Sequence, residues 1–309
     1  MKSMKVLVCD ELHEVCIKIL VNNGLQVDYE PRISGEELLE IVGNYDCLVV
    51  RGRTKIDEKV LRRARRLKLI ARAGSGLENI DLKGAEKRGI RVIRCPDAIA
   101  DSVAEFTIAL MIILARRIEK AIDSLRRGLW IKDKLVGSEL RGKTLGIIGV
   151  GSVGSRVARI ALGMGMKLLL NDIKPLRIDL AGDVRSADLH TLLKLSDFVS
   201  IHIPLNEETY GFIGEDELRS MKSDAYLINT SRPELIDPDA LYKALTEGWI
   251  AGAAVEATEN WTRAHRRLMK LENLICTPHI GAQTLEARRR VSEEVARAII
   301  RELNLCRLP

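Results

Sequence analysis

Aromatic side chains are scarce in this 309-residue chain: three Phe, three Trp and five Tyr make up 4% of it. So few rings leave little on which bases could stack, which argues against a single-stranded nucleic-acid partner. The six cysteines contain no CxxC pair, and no two of the five histidines show metal-ligand spacing. Zinc sites need clustered ligands, so no metal is expected. Cys9, Cys47 and Cys276 sit in apolar runs, the ordinary setting of a buried free thiol. The longest uncharged apolar run, 106–115, is ten residues, short of the roughly 20 a spanning helix needs. The opening MKSMKVLVCD runs straight into a strand-like segment without a signal-peptide pattern. A soluble, cytoplasmic protein with no membrane partner is expected. Charge of one sign does not dominate: 49 Lys+Arg against 43 Asp+Glu give +6. The basic clusters at 62–68, 263–267 and 288–290 are interleaved with helix-type apolar residues. They read as solvated helix faces rather than as a nucleic-acid stripe.

What is present is a globular profile, 46% hydrophobic and 30% charged. At roughly 150 residues per domain, two domains are expected. Apolar strand candidates at 5–9, 27–29, 47–51, 67–71 and 91–94 alternate with helical stretches such as 11–22. Another helix begins at Ser34, with Glu37 completing a capping-box pattern. A long helix over 101–126 is apolar almost all round and should be buried between domains or subunits. A second series follows, with strands at 144–149, 167–171, 198–203, 225–229, 251–256 and 274–278. Helices at 153–164, 189–195 and 239–247 separate some of them. Strand–helix alternation implies an α/β fold with parallel sheets. The last helix, 284–304, carries Val291, Val295, Ile299 and Leu303 on one face. It is expected to dock back on the first domain and make that domain discontinuous.

The strongest local signal is KTLGIIGVGSVGSRVA, 143–158. Its GxGxxG follows a strand candidate and opens a helix, the context that gives the motif meaning. Gly149 suits the tight turn, Gly151 the approach of a pyrophosphate, and Gly154 close helix–strand packing. The helix start at Ser152 and Val153 offers unpaired N–H groups to the phosphates. Asp172 lies eighteen residues beyond Gly154, at the end of the next strand. A carboxylate there suits the ribose hydroxyls and would repel a 2′-phosphate, favouring NAD over NADP. Alone, it would read as a strand-end turn residue.

Several segments together resemble the D-2-hydroxyacid dehydrogenases, most closely the D-3-phosphoglycerate dehydrogenases. They are VVRGRTKID (49–57), RAGSGLENID (72–81), SVAEFTIALM (102–111), ELRGKTLGIIGVGSVG (139–154), LSDFVSIHIPLNEET (195–209), LINTSR (227–232), GWIAGAAVE (248–256) and TPHIGAQTLEA (277–287). The resemblance implies two Rossmann-like, doubly wound domains separated by a cleft. Residues 98–281 would form the NAD-binding domain; 1–97 with 282–309 would form a discontinuous substrate-binding domain. It also implies a homodimer through the NAD-binding domain, with helix 102–126 as the contact, and a short form without C-terminal regulatory domains.

The resemblance further implies hydride transfer between a 2-hydroxy acid and nicotinamide. Arg232 would clamp the substrate carboxylate, and His279 would act as the base. Ser75, Ile203, Thr230, Ser231 and Glu256 would add cofactor contacts. Arg51 and Arg72, with Ser75 and Gly76, would hold the substrate, which makes 3-phosphoglycerate the favoured acid and serine biosynthesis the implied pathway. His202 reads as structural. Two departures stand out. Pro233 follows the expected catalytic Arg where the family has Gly, and the position of the acid that should pair with His279 falls on Trp261. Glu259, two residues earlier, is the candidate substitute, while Glu256 matches an acid that contacts the nicotinamide carboxamide. An altered activity is therefore expected. A catalytically weak NAD(H)-binding protein and a glyoxylate or hydroxypyruvate dehydrogenase are the alternatives.

Overall fold

The structure, a computed structural model, describes residues 4–175 and 181–305. Both ends of the expected substrate domain, 1–3 and 306–309, lie outside the described residues, Cys306 among them. The chain divides into two compact units: residues up to Ile99 with those from Gln283 onward, and Ala100–Ala282. The first begins with β1 (Lys5–Val8), α1 (Val15–Asn22), β2 (Gln26–Tyr29), α2 (Gly35–Ile41) and β3 (Cys47–Val50). It continues with α3 (Glu58–Arg63), β4 (Leu69–Arg72), α4 (Leu82–Lys87) and β5 (Arg91–Arg94). The second holds α5 (Ala100–Arg116), α6 (Ile118–Arg126), β6 (Thr144–Ile148), α7 (Ser152–Gly163), β7 (Lys167–Asn171) and β8 (Val184–Ser186). There follow α8 (Leu189–Leu195), β9 (Phe198–Ile201), α9 (Glu215–Ser220), β10 (Tyr226–Asn229), α10 (Pro238–Thr246), β11 (Gly252–Glu256), α11 (Glu259–Ala264) and β12 (Leu274–Thr277). The chain then returns to the first unit as α12 (Leu285–Leu305).

Both sheets are parallel. The first runs β2-β1-β3-β4-β5 and the second β12-β11-β10-β9-β6-β7-β8. Each is doubly wound, reversing direction at β1/β3 in the first unit and at β6/β9 in the second. Ligands of such sheets bind outside the carboxyl ends of the strands at that switch point.

Strand residues alternate between two cores in each unit. In the first, Val6, Val8, Val49 and Ala71 face α1 and α12, whereas Leu7, Leu48, Val50 and Ile70 face α2, α3 and α4. Val291, Val295, Ile299 and Leu303 of α12 are all buried against the first of these cores. Burying each such side chain contributes roughly 1.5–3 kcal/mol. Ser34 caps α2 in a full capping box with Glu37. In the second unit, Leu145, Ile147, Leu168 and Leu170 pack under α5 and α7, and Ile148, Val199, Ile201 and Leu227 under α8 and α10.

The expected long helix over 101–126 is two helices. Arg117 takes a left-handed backbone (φ 52°) between α5 and α6. The reason is tertiary: the Ala115 carbonyl accepts a hydrogen bond from Ser138 N (2.9 Å). Gly137 passes so close that a Cβ there would lie 2.4 Å from the same oxygen. With its preceding turn, α5 is long and apolar enough to cross a membrane, but 61% of its most apolar 18-residue window is buried. There Ala104, Ile108 and Met111 pack in one core with Val157 and Ala158 of α7. It is a core helix.

Candidate active site

In the second unit the turn after β6 is built for a phosphate. Gly149 has φ +89°, and a Cβ there would meet the His202 carbonyl carbon at 2.8 Å. Its N–H donates to the Asn171 carbonyl (2.8 Å), tying the turn to β7. A Cβ at Gly154 would lie 2.0 Å from the Gly149 oxygen, so only glycine lets α7 sit this close. Gly151, by contrast, faces open space: nothing lies within 4 Å of its Cβ position. It is the N-cap of α7 and supplies no capping side chain, so the first N–H groups of the helix keep no side-chain acceptor. An anion is the partner such an end lacks. Asp172 sits beside this turn, accepting from Val150 N (2.7 Å) and Lys174 N (2.9 Å). These residues fit a dinucleotide.

The neighbouring strands end in the same region. His202 follows β9, and its Nε2 is 2.8 Å from Ser200 Oγ. Burial pushes its imidazole down to about 3, so it stays neutral. The Ile203 carbonyl accepts from Ser231 Oγ (2.8 Å), joining the turns after β9 and β10. Asn229 holds the latter from within, donating to the Arg232 carbonyl (2.7 Å) and accepting from Ser231 N (3.0 Å). Thr230 Oγ1 lies 2.8 Å from Thr107 Oγ1 of α5. Pro233 opens a 3₁₀ turn, a position where a missing N–H breaks no bond. The departure from glycine is thus absorbed by the local fold, and the Arg232 guanidinium reaches back to the Ser231 carbonyl (2.8 Å).

His279 follows β12 in a tight turn, its N–H donating to the Thr277 carbonyl (2.9 Å). Its φ of 52° is uncommon for a residue with a Cβ. Glu256, at the end of β11 and 2% exposed, underlies this turn. Its Oε1 accepts from Ile280 N (2.7 Å) and Thr277 Oγ1 (3.0 Å), and its Oε2 from Gly281 N (3.0 Å). The same Oε2 stands 3.7 Å from His279 Nδ1. Ser102 of α5 fixes the far side by donating to the Gly281 carbonyl (2.7 Å). Glu259 is placed elsewhere: on the first turn of α11 it pairs with Arg263 (2.5 Å) and its side chain is 76% exposed. Trp261 is buried in the core with Leu268, Val255 and Ala257.

The first unit gathers its candidates at the ends of β1, β3 and β4. Arg51 N donates to the buried Asp10 carboxylate (2.5 Å). Burial and then the like charge of Arg288 lower the Arg51 guanidinium's affinity for its proton, while Asp10 and Glu11 oppose them. Arg72 donates to the Ala73 carbonyl (3.0 Å), and its guanidinium lies over Gly74, where a Cβ would come within 2.9 Å. The Ser75 carbonyl accepts from Arg94 (3.1 Å), which steadies the turn leading to Gly76.

Sequence reasoning missed Ser102, Thr107, Asp10 and Arg288. Small hydroxyls on an apolar helix carry no motif, and Arg288 reads as one of a solvated basic run. Among the described residues no group of His, Cys, Asp and Glu could hold a metal ion.

A doubly wound parallel sheet with a glycine turn, an uncapped helix start and an acid just after the second strand defines a dinucleotide-binding domain. Comparison with known proteins narrows the class. Residues 108–281 match the D-isomer specific 2-hydroxyacid dehydrogenase NAD binding domain. The chain is 41% identical over 309 residues to a hydroxypyruvate reductase of Thermotoga maritima, covering 99% of this chain and 100% of that one. It is 42% identical over 298 residues to a D-3-phosphoglycerate dehydrogenase of Methanocaldococcus jannaschii, covering 96% of this chain but 57% of that longer protein. The crystal structure of a glyoxylate reductase from Paecilomyes thermophila superposes with a TM-score of 0.88 at 28% identity, covering 97% of this chain and 95% of that one. The chain belongs to the D-2-hydroxyacid dehydrogenase family and is an NAD-dependent oxidoreductase.

Proposed function

We propose that the protein oxidises the phosphorylated 2-hydroxy acid 3-phosphoglycerate, in the direction that feeds serine biosynthesis. The observation that carries this is the pair of guanidinium groups, Arg51 and Arg288, that repel one another in the first unit. Arg51 lies just after β3 and Arg288 in the first turn of α12; two like charges so placed suit a dianion, and Arg binds phosphate bidentately. Bound NAD supplies the hydride acceptor. Arg232 holds the substrate carboxylate, and His279 takes the hydroxyl proton as the C2 hydrogen leaves as hydride. In the second unit, Thr230, Ser231, Ile203 and Glu256 are the residues assigned to the nicotinamide.

The test is turnover of NAD with 3-phosphoglycerate, and of NADH with phosphohydroxypyruvate, hydroxypyruvate and glyoxylate. Arg51→Ala is expected to raise KM for the phosphorylated substrate at least tenfold while changing that for glyoxylate less than twofold. Equal effects on both would sink the phosphate assignment. The full-length match to a hydroxypyruvate reductase favours reduction of an unphosphorylated keto acid as the second reading.

The working form is a homodimer in the cytoplasm. Ile122, Leu125, Leu129, Trp130 and Val136 leave an apolar surface exposed on and after α6, with Trp130 81% accessible. A second copy of the chain, docking through this unit, would cover it. Sedimentation should give a dimer. Neither nucleic acid nor a membrane is needed as a partner.

A further inference from the structure

We propose that Glu256 is the carboxylate that positions His279 and strengthens it as a base. Nothing in the family comparison assigns it this role, and the inference rests on the reading of His279 as the proton acceptor. Glu256 is the last residue of β11, and Thr277, its register partner, ends β12. One buried carboxylate therefore grips the His279 turn on both sides. Oε1 holds Thr277 Oγ1 before it and Ile280 N after it, and Oε2 holds Gly281 N. Those bonds account for three of the carboxylate's roughly four acceptor sites, and Oε2 stands 3.7 Å from Nδ1 of the imidazole.

The turn is shaped for this contact. At position 281 a Cβ would come within 2.9 Å of Oε2, so glycine is what lets the carboxylate lie beneath. Ser102 closes the turn from α5. A carboxylate beside Nδ1 favours the tautomer with its proton there, leaves Nε2 to receive the substrate proton, and stabilises the imidazolium that results. The other candidate, Glu259, is turned away, and so is the residue at the position where the family has its acid. Glu259 pairs with Arg263 at the surface, and the Trp261 ring is packed in the core 5.1 Å from that of His265.

Glu256→Gln keeps the size of the side chain and removes its charge. The titration of His279 is followed by NMR in the intact protein, with the resonance assigned by its loss in His279→Asn. Glu256→Gln is expected to lower the His279 midpoint by about one pH unit or more, and the same measurement on Glu259→Gln to leave it in place. In turnover, the acidic limb of the kcat/KM profile should move by the same amount in Glu256→Gln. An unmoved His279 midpoint in a folded Glu256→Gln protein, or a shift in Glu259→Gln instead, would overturn the proposal. The NMR arm reads the pairing even if no 2-hydroxy acid is turned over, so failure of the substrate assignment is seen separately.

Discussion

The two units share a parallel doubly wound sheet yet finish their strands differently. In the second unit the turn after the first strand is glycine: Gly149, Gly151 and Gly154 bring main-chain N–H groups and a helix start into the open. In the first, the turn after the equivalent strand carries Asp10 and Glu11, and the groups around them are the guanidinium side chains of Arg51, Arg53 and Arg288. Backbone donors are rigid and are set by the fold, so they suit a phosphate link common to every dinucleotide. Arginine side chains can be exchanged without rebuilding the sheet, which suits the part of a family that varies its substrate. The same architecture thus separates what must stay from what can change.

The sharpest way to break that comparison is to add one methyl group to each unit. Gly154→Ala would place a Cβ 2.0 Å from the Gly149 oxygen, too close for either backbone to stay where it is. A loss of NADH affinity of at least a hundredfold is expected by fluorescence titration, with a destabilisation of about 1–3 kcal/mol or more. Gly52→Ala in the first unit meets only the Arg72 guanidinium at 3.6 Å, an ordinary contact. Its stability should change by less than about 0.5 kcal/mol and NADH affinity by less than twofold. Equal losses in the two variants would show that the glycine turn has no special place.

A second variant asks whether each sheet stands on its own core. All three tryptophans, Trp130, Trp249 and Trp261, lie in the second unit. Their fluorescence therefore reports on that unit, whereas far-UV circular dichroism sees both. Ile299 of α12 is fully buried against the first sheet. Ile299→Ala should remove about 2–4 kcal/mol from the first unit. The dichroism transition in urea should then begin at lower denaturant than the tryptophan transition. Transitions that move together would mean the two cores unfold as one.

How much of this was legible in the sequence depends on whether the signal is local. The GxGxxG and Asp172 could be read because a strand, a turn and a helix start lie within thirty residues of one another. The Ser34–Glu37 capping box is equally local. What could not be read are contacts between segments far apart. The break at Arg117 comes from Ser138 reaching Ala115, and nothing in the apolar run of α5 announces it. β8 is three residues with no apolar run, and it exists because Leu168, Leu169 and Leu170 give it an edge to pair with. Motifs single out Arg232 and His279 in the sequence, but they leave open which carboxylate, Glu256 or Glu259, lies near His279. Glu256 stands 3.7 Å from His279, twenty-three residues further on, because β11 and β12 end side by side. Pro233 looked like damage and is the ordinary first residue of a 3₁₀ turn.

The smallest expected effect concerns pH and again separates the units. His202 is pushed down to about 3 by burial, whereas unfolded it would titrate near 6.5. Between those values the unfolded chain binds a proton that the folded second unit does not. Its contribution to stability is therefore complete above about pH 6.5 and drains away as the pH falls toward 3, by up to about 1.4 kcal/mol per unit. His13, the one histidine of the first unit, is exposed. Tryptophan-monitored urea unfolding at pH 7 and 4.5 should show the second unit losing stability. In His202→Gln, which has nothing to protonate there, that loss should shrink by about 2.7 kcal/mol. A variant that loses as much as the wild type would place the acid sensitivity elsewhere in the second unit. The neutral His202 beside Ser200 would then be packing alone.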